Sequence, residues 1–155
     1  MIDPKKYQEF IYRHNGHYRE YNYDGYRNQC MDIFWFYLKE VCGIDPKPYL
    51  GWGTPANLWN NTHKIKDFDK NFTKIPNGPD NVPQQGDIMF YKYYPMNYGI
   101  AGHVEMFDHP EGDGLYTFVT FSQNWPTGKP CKFVRRGSGK IFHGYRGSLG
   151  WIRKK

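Results

Sequence analysis

Tyr23-Asp24-Gly25-Tyr26-Arg27-Asn28-Gln29-Cys30-Met31-Asp32-Ile33-Phe34 joins a turn signal, Asp24-Gly25, to the mouth of a strongly apolar segment. Apolar positions continue through Trp35, Phe36, Tyr37, Leu38 and Val41 up to Cys42-Gly43. This predicts a helix starting at or just after Gln29, apolar nearly all round and therefore central and buried on most sides. A thiol in its first turn meets backbone N–H groups and the positive end of the helix dipole, which can bring a cysteine pKa down from about 8.5 toward neutrality and make it a nucleophile. The competing reading is that Cys30 is a small buried hydrophobe, the common fate of a lone free cysteine.

Outward from this segment the grammar divides the chain in two. Asp3-Pro4 is an N-cap followed by proline at the first helical position, and Tyr7, Phe10 and Ile11 share a face up to the Asn15-Gly16 stop, so a short helix opens the chain. Thr54-Pro55 repeats the cap before Ala56, Leu58 and Trp59 and predicts a third short helix. From Phe72 onward come brief β-rich runs between Gly, Pro, Asn and Asp: Asp87 to Tyr93, His103 to Phe107, Leu115 to Phe121, Lys132 to Val134, Ile141 to Tyr145 and Leu149 to Ile152. Pro76 to Gln85 and Tyr94 to Ala101 read as loops. Helices followed by strands define an α+β domain with an antiparallel sheet, and no internal repeat is present.

At 155 residues the expectation is one domain over 1–155. Fourteen Tyr, 11 Phe and 5 Trp supply its apolar mass, while a mean hydropathy of −0.85 leaves no run of roughly 18 apolar residues for a membrane span. Met1-Ile2-Asp3-Pro4-Lys5-Lys6 lacks the apolar core of a secretory signal, which places first residence in the cytoplasm of the producing cell. Cys30, Cys42 and Cys131 are too few and too scattered for a disulfide framework or a C-x-x-C metal or redox pair. A net charge of +6 favours an anionic partner: nucleic acid, anionic lipid or a polyanionic wall.

Thiol hydrolysis requires a base, a group that orients the base, and donors for the oxyanion. Of the six histidines, His103 alone follows a glycine and precedes a strand, in Gly102-His103-Val104-Glu105-Met106-Phe107. It reads either as the base or as a surface strand histidine. In Thr120-Phe121-Ser122-Gln123-Asn124-Trp125 the period of two puts Ser122 and Asn124 on one face. Asn124 then either holds the imidazole tautomer, in Cys-His-Asn fashion, or simply begins an Asn-Trp-Pro-Thr-Gly turn. Gln29 is the candidate side-chain donor to the oxyanion, beside the Cys30 N–H, or else a helix-start residue bonded to backbone.

Together these segments resemble the CHAP family of cysteine, histidine-dependent amidohydrolases and peptidases. The matching residues are Asp24-Gly25-Tyr26, Asn28-Gln29-Cys30-Met31-Asp32, Gly86-Asp87-Ile88-Met89-Phe90, Gly102-His103-Val104, Gln123-Asn124-Trp125 and Leu149-Gly150-Trp151-Ile152, in order over almost the whole chain. The resemblance implies a papain-like core, with N-terminal helices on an antiparallel sheet. It also implies Cys30 as nucleophile, His103 as base, Asn124 as orienting residue, and bacterial peptidoglycan as substrate. One departure stands out: many lytic members carry Glu two residues before the orienting Asn, where this chain has Ser122. Glu105 shares a strand face with His103 and is a conceivable substitute, but it reads more simply as an exposed, solvated glutamate.

Asn22, Asp24, Asn28 and Asp32 form an oxygen-rich set around Gly25, and some CHAP lysins bind calcium just before the nucleophile. With so little ligand charge, the expectation is an Asx-turn with no cofactor required, calcium being the alternative. The function expected is amide cleavage in peptidoglycan by a monomeric endolysin or virion lysin. It would reach the wall by holin-type release or from the virion, helped by anionic wall polymers and without membrane insertion. The alternative is a basic, aromatic-rich nucleic-acid or wall-binding module without catalysis. Against it, Arg135-Arg136 and Arg153-Lys154-Lys155 read as solvated charges, and no specific nucleic-acid partner is expected.

Overall fold

The computed structural model describes residues 1–21, 28–91, 102–112, 117–125, 127–137 and 148–155. The expected strand at 141–145, the loop at 94–101, and Asn22 and Asp24 fall outside these residues.

Helix α1 (Pro4–His14) starts as its sequence dictates: Asp3 caps it by accepting from Lys5 N at 2.9 Å, and Pro4 occupies the first position. Tyr7, Phe10 and His14 form its buried face. Helix α2 (Cys30–Glu40) buries every residue from Cys30 to Leu38 except Phe36, which is half-buried. Thr54 caps α3 (Pro55–Asn60), accepting from Asn57 N at 3.2 Å. Two single 3₁₀ turns, Lys47–Tyr49 and Thr62–Lys64, and a one-turn helix α4 (Phe68–Asn71) complete the helical half.

The strands are β1 (Phe72–Pro76), β2 (Ile88–Tyr91), β3 (His103–Glu111), β4 (Thr117–Ser122), β5 (Lys132–Gly137) and β6 (Ser148–Lys154). They form one antiparallel sheet in the order β1-β6-β2-β3-β4-β5. The expected α+β class, helices first and antiparallel sheet after, is what the chain adopts. Strand β1 was not anticipated: it is a short edge strand in which Thr73, Lys74 and Pro76 are exposed, so it lacks a strong apolar run.

Because side chains alternate across a strand, the register sorts the sheet into two faces. Ile88, Phe90, Val104, Met106, Phe121 and Ile152 join the helices in the main core. The aromatic-rich composition is spent there on edge-to-face contacts such as Phe10–Tyr37 (5.2 Å, 81°) and Phe34–Phe90 (6.0 Å, 78°). The opposite face carries a second buried cluster of Met89, Tyr91, Phe107, Phe118 and Trp151. Met89 pairs with Glu105 and Tyr91 with His103, so His103 and Glu105 belong to this second face.

The tail charges are not all solvated. Arg153 lies within β6, where its Nη2 donates to Asp87 Oδ2 at 2.7 Å and its Nε to Oδ1 at 2.9 Å. Gly102 positions the start of β3. Its φ is +74°, and a Cβ there would lie 2.1 Å from the Tyr91 carbonyl oxygen. Gly102→Ala therefore meets both left-handed strain of about 1–2 kcal/mol and a backbone clash. We expect it to lower Tm by about 4 °C or more, measured by calorimetry or circular dichroism.

Candidate active site

The start of α2 is held by backbone and side-chain hydrogen bonds together. Gln29 is the extended N-cap (φ −80°, ψ 164°), and Asp32 reaches back to accept from Gln29 N at 2.7 Å. The other Asp32 oxygen accepts from Tyr21 N at 2.9 Å, so this buried carboxylate binds the preceding segment to the helix start. Cys30 then occupies the first helical position with 7% of its surface exposed. The remaining two thiols are inert by comparison: burial pushes both Cys42 and Cys131 up to about 12.

The residue just after strand β4 is the partner of this helix start. Gln123, fully buried, donates from Nε2 to Arg19 O at 2.8 Å and to Gln29 O at 2.9 Å. Its Oε1 accepts from Arg19 N at 2.6 Å and Cys131 Sγ at 3.1 Å. Both ends of the amide are thus used, and they bind the helix mouth to the end of the sheet. Asn124 lies beyond β4, which ends at Ser122, and has turned into the left-handed region (φ +64°), so the strand period does not extend to it. Its Nδ2 donates to Gln29 Oε1 at 3.1 Å, and its Oδ1 accepts from Gly128 N at 2.7 Å, closing the turn expected after the strand.

His103 opens β3 and is 1% exposed. It is near enough to Cys30 for the two groups to act on each other electrostatically. Nε2 of the ring lies 2.7 Å from Ser122 Oγ and 3.5 Å from Glu105 Oε2. The Tyr91 and Trp125 rings flank the imidazole, with centroids at 6.4 and 5.9 Å.

Glu105 overturns the solvated reading. It is 0% exposed and takes a two-pronged pair from Arg136, Nη2 to Oε2 at 2.7 Å and Nε to Oε1 at 3.1 Å. Arg136 is likewise not solvated: it is buried, with its guanidinium carbon 4.3 Å from the centre of the Trp125 ring. Arg135 does project outward, paired with Glu111. The signal missed was alternation in Val134-Arg135-Arg136, which sets Arg136 on the same side as buried Val134. Arg136, one of the basic residues weighed as a nucleic-acid contact, instead faces the Trp125 ring inside the protein.

The electrostatics follow from this packing. Burial alone would lower the His103 pKa, but the interactions with Cys30 and with the Glu105 carboxylate outweigh it and raise the imidazole to about 9. Burial likewise opposes ionisation of Glu105, yet Arg136 and His103 hold it well below the usual carboxylate range.

The CHAP domain family model matches residues 20–124, which include Cys30, His103 and Asn124. No curated protein matches the chain. Among solved structures, the chain is similar to wild-type endolysin LysIME-EF1, at 21% identity and a TM-score of 0.71, covering 99% of this chain and 64% of that one. It is also similar to Ly7917, at 13% identity and a TM-score of 0.65, covering 98% and 62%. A second Ly7917 structure, with the hydrolysing product of MDP, gives 13% identity and a TM-score of 0.67, covering 98% and 62%. The chain thus spans a little under two thirds of the length of each of these proteins, and the likeness shows a shared fold.

Linkage gives the site a pH signature. The His103 pKa is raised on folding, so its contribution is full below 6.5 and is lost as pH rises toward about 9. Glu105 is depressed, so its contribution is present above 4.5 and is lost as pH falls below that. We expect the stability assigned to this pair to be greatest between these limits. Urea unfolding across pH should show the alkaline loss shrinking in His103→Gln; an identical alkaline profile would refute the assignment.

Proposed function

The chain belongs to the CHAP domain family, and from this premise we propose that it is a peptidoglycan hydrolase that cleaves an amide bond through a cysteine nucleophile. One observation carries the reading: Cys30, in the first turn of a buried helix, acts electrostatically on a buried imidazole whose charged form is favoured at neutral pH. The wall substrate rests on the family and on similarity to a protein named an endolysin. The bond is either the N-acetylmuramoyl-L-alanine amide or a peptide bond in a stem or bridge.

In the proposed reaction the Cys30 thiolate attacks the scissile carbonyl carbon and forms a tetrahedral oxyanion. The Cys30 N–H and the Gln29 side-chain amide, whose oxygen is held by Asn124, stabilise that charge. The C–N bond breaks as protonated His103 gives its proton to the leaving amine, which leaves a thioester. Neutral His103 then takes a proton from water, whose oxygen attacks the thioester carbonyl and regenerates the thiolate–imidazolium pair. With Nε2 turned to Ser122 and Glu105, Nδ1 is the nitrogen that serves the sulfur and the leaving group. Asn124 thereby acts on the site through Gln29 as well as through its own turn. The positive charge of the chain favours approach to anionic wall polymers.

Cys30→Ala and Cys30→Ser should abolish turbidity loss of susceptible cell walls while retaining the folded circular dichroism spectrum, and Cys42→Ala should lyse normally. His103→Gln should lose about 10²–10⁴-fold in rate, the range for a missing acid–base group. Full lysis by folded Cys30→Ala would remove the proposal. Mass spectrometry of fragments released from purified sacculi identifies the bond.

For the loop before Cys30 we propose no metal requirement. Lysis should survive a chelator, and added calcium should move Tm little, since a metal bound only to the folded state stabilises it by RT ln(1 + M/Kd) at free metal concentration M, which is small when binding is weak. A large calcium-dependent rise in Tm, lost in Asp24→Ala, would instead make the metal a brace for the segment carrying the nucleophile.

A further inference from the structure

We propose that Glu105, clamped by Arg136, is the positioning residue for His103: it fixes the ring through Nε2 and keeps the proton shared with Cys30 on the imidazole. The inference rests on the cysteine-hydrolase reading above and deepens it.

Three observations carry it. First, Glu105 has no contact with solvent, and a buried carboxylate is costly unless paired; Arg136 compensates it through both oxygens and so fixes its orientation. Second, Oε2, the oxygen nearest the imidazole, lies 3.5 Å from Nε2, while Ser122 Oγ lies 2.7 Å from the same nitrogen. Met106 pairs with Phe121, which sets Glu105 beside Ser122 across adjacent strands. Third, the charges on this side of His103 alternate in sign when the ring is charged: Arg136 positive, Glu105 negative, His103 positive. Cys30 aside, the neighbours on the remaining elements, Ser122, Tyr91 and Trp125, bring no formal charge at neutral pH.

Removing Glu105 would leave Arg136 and the imidazolium as like charges in a dry site, and the imidazole would give up its proton. Arg136 has a separate task. By keeping Glu105 ionised, it prevents the carboxylate from taking the proton that His103 must deliver to the leaving amine. A purely structural ion pair would hold β3 to β5 without affecting the proton on His103.

The test reads that proton directly. The imidazole of His103 is titrated by ¹³C–¹H NMR in the full chain, with His103→Gln identifying its signal, alongside lysis rates. Glu105→Gln should lower the His103 midpoint by at least about one pH unit, a tenfold change in the protonation equilibrium, and slow lysis by about tenfold or more. Adding Ser122→Glu to Glu105→Gln should return the midpoint upward and recover part of the rate, since the carboxylate is restored one strand away. If Glu105→Gln fails to fold because Arg136 is orphaned, Glu105→Gln with Arg136→Met removes both charges and should show the same lowered midpoint. An unchanged midpoint in either folded variant overturns the proposal, as does failure of both to fold, which would make the pair structural. The titration needs no substrate, so full lysis by Cys30→Ala would sink the hydrolase reading while leaving this test to judge Glu105 on its own.

Discussion

The two halves of this fold meet correctly because one buried side-chain amide is fully hydrogen-bonded. Gln123 bonds both the N–H and the carbonyl of Arg19, the carbonyl of the α2 N-cap and the Cys131 thiol. A leftover donor or acceptor at this depth would cost about 1–3 kcal/mol, so any displacement of the helix mouth from the end of β4 is penalised. The helix could otherwise slide over an apolar sheet with little change in buried area, since hydrophobic contact is not directional. Gln123 supplies the direction, and with it the closeness of Cys30 to His103.

The second sheet face shows what charge does when it is buried in pairs. Tyr91, Phe107, Phe118 and Trp151 make it apolar, yet His103, Glu105 and Arg136 lie on it. Exchanging such a network for hydrophobic residues often stabilises a protein, so its presence is better explained by positioning than by stability. Trp125, between Arg136 and His103, covers one cation with its ring and flanks the other.

Local chemistry made much of this legible. The caps at Asp3 and Thr54, the apolar run from Ile33 and the glycine before His103 are signals contained in a few residues, and the elements they announce are present. The placement of Cys30 at a helix mouth and His103 at a strand start follows from them. What escaped was set by partners distant in sequence. A glutamate reads as solvated until an arginine 31 residues away is known to face it. At Asn124 the sequence offered both a strand continuation and an Asn-Trp-Pro-Thr-Gly turn, and the left-handed backbone one residue after Gln123 realises the turn. Edge strand β1 owes its existence to pairing with β6, which its own five residues do not encode.

The arginines are largely committed to the interior or to fixed partners: Arg13 to Glu40, Arg135 to Glu111, Arg136 to Glu105 and Arg153 to Asp87. Among the described residues no lysine forms an ion pair with a carboxylate, and Lys5, Lys6, Lys39, Lys64, Lys66, Lys70 and Lys129 are exposed. The two kinds of cation therefore divide the labour. Planar forks build the frame, whereas compact, hydrated, mobile ammonium groups form the outer coat. A coat of that kind grips any polyanion loosely and without register, and it weakens as salt shortens the range of its field to about 8 Å under physiological conditions. The coat is therefore free to vary in evolution: lysines can be gained, lost or moved to suit a new surface without disturbing a single bond at the buried site.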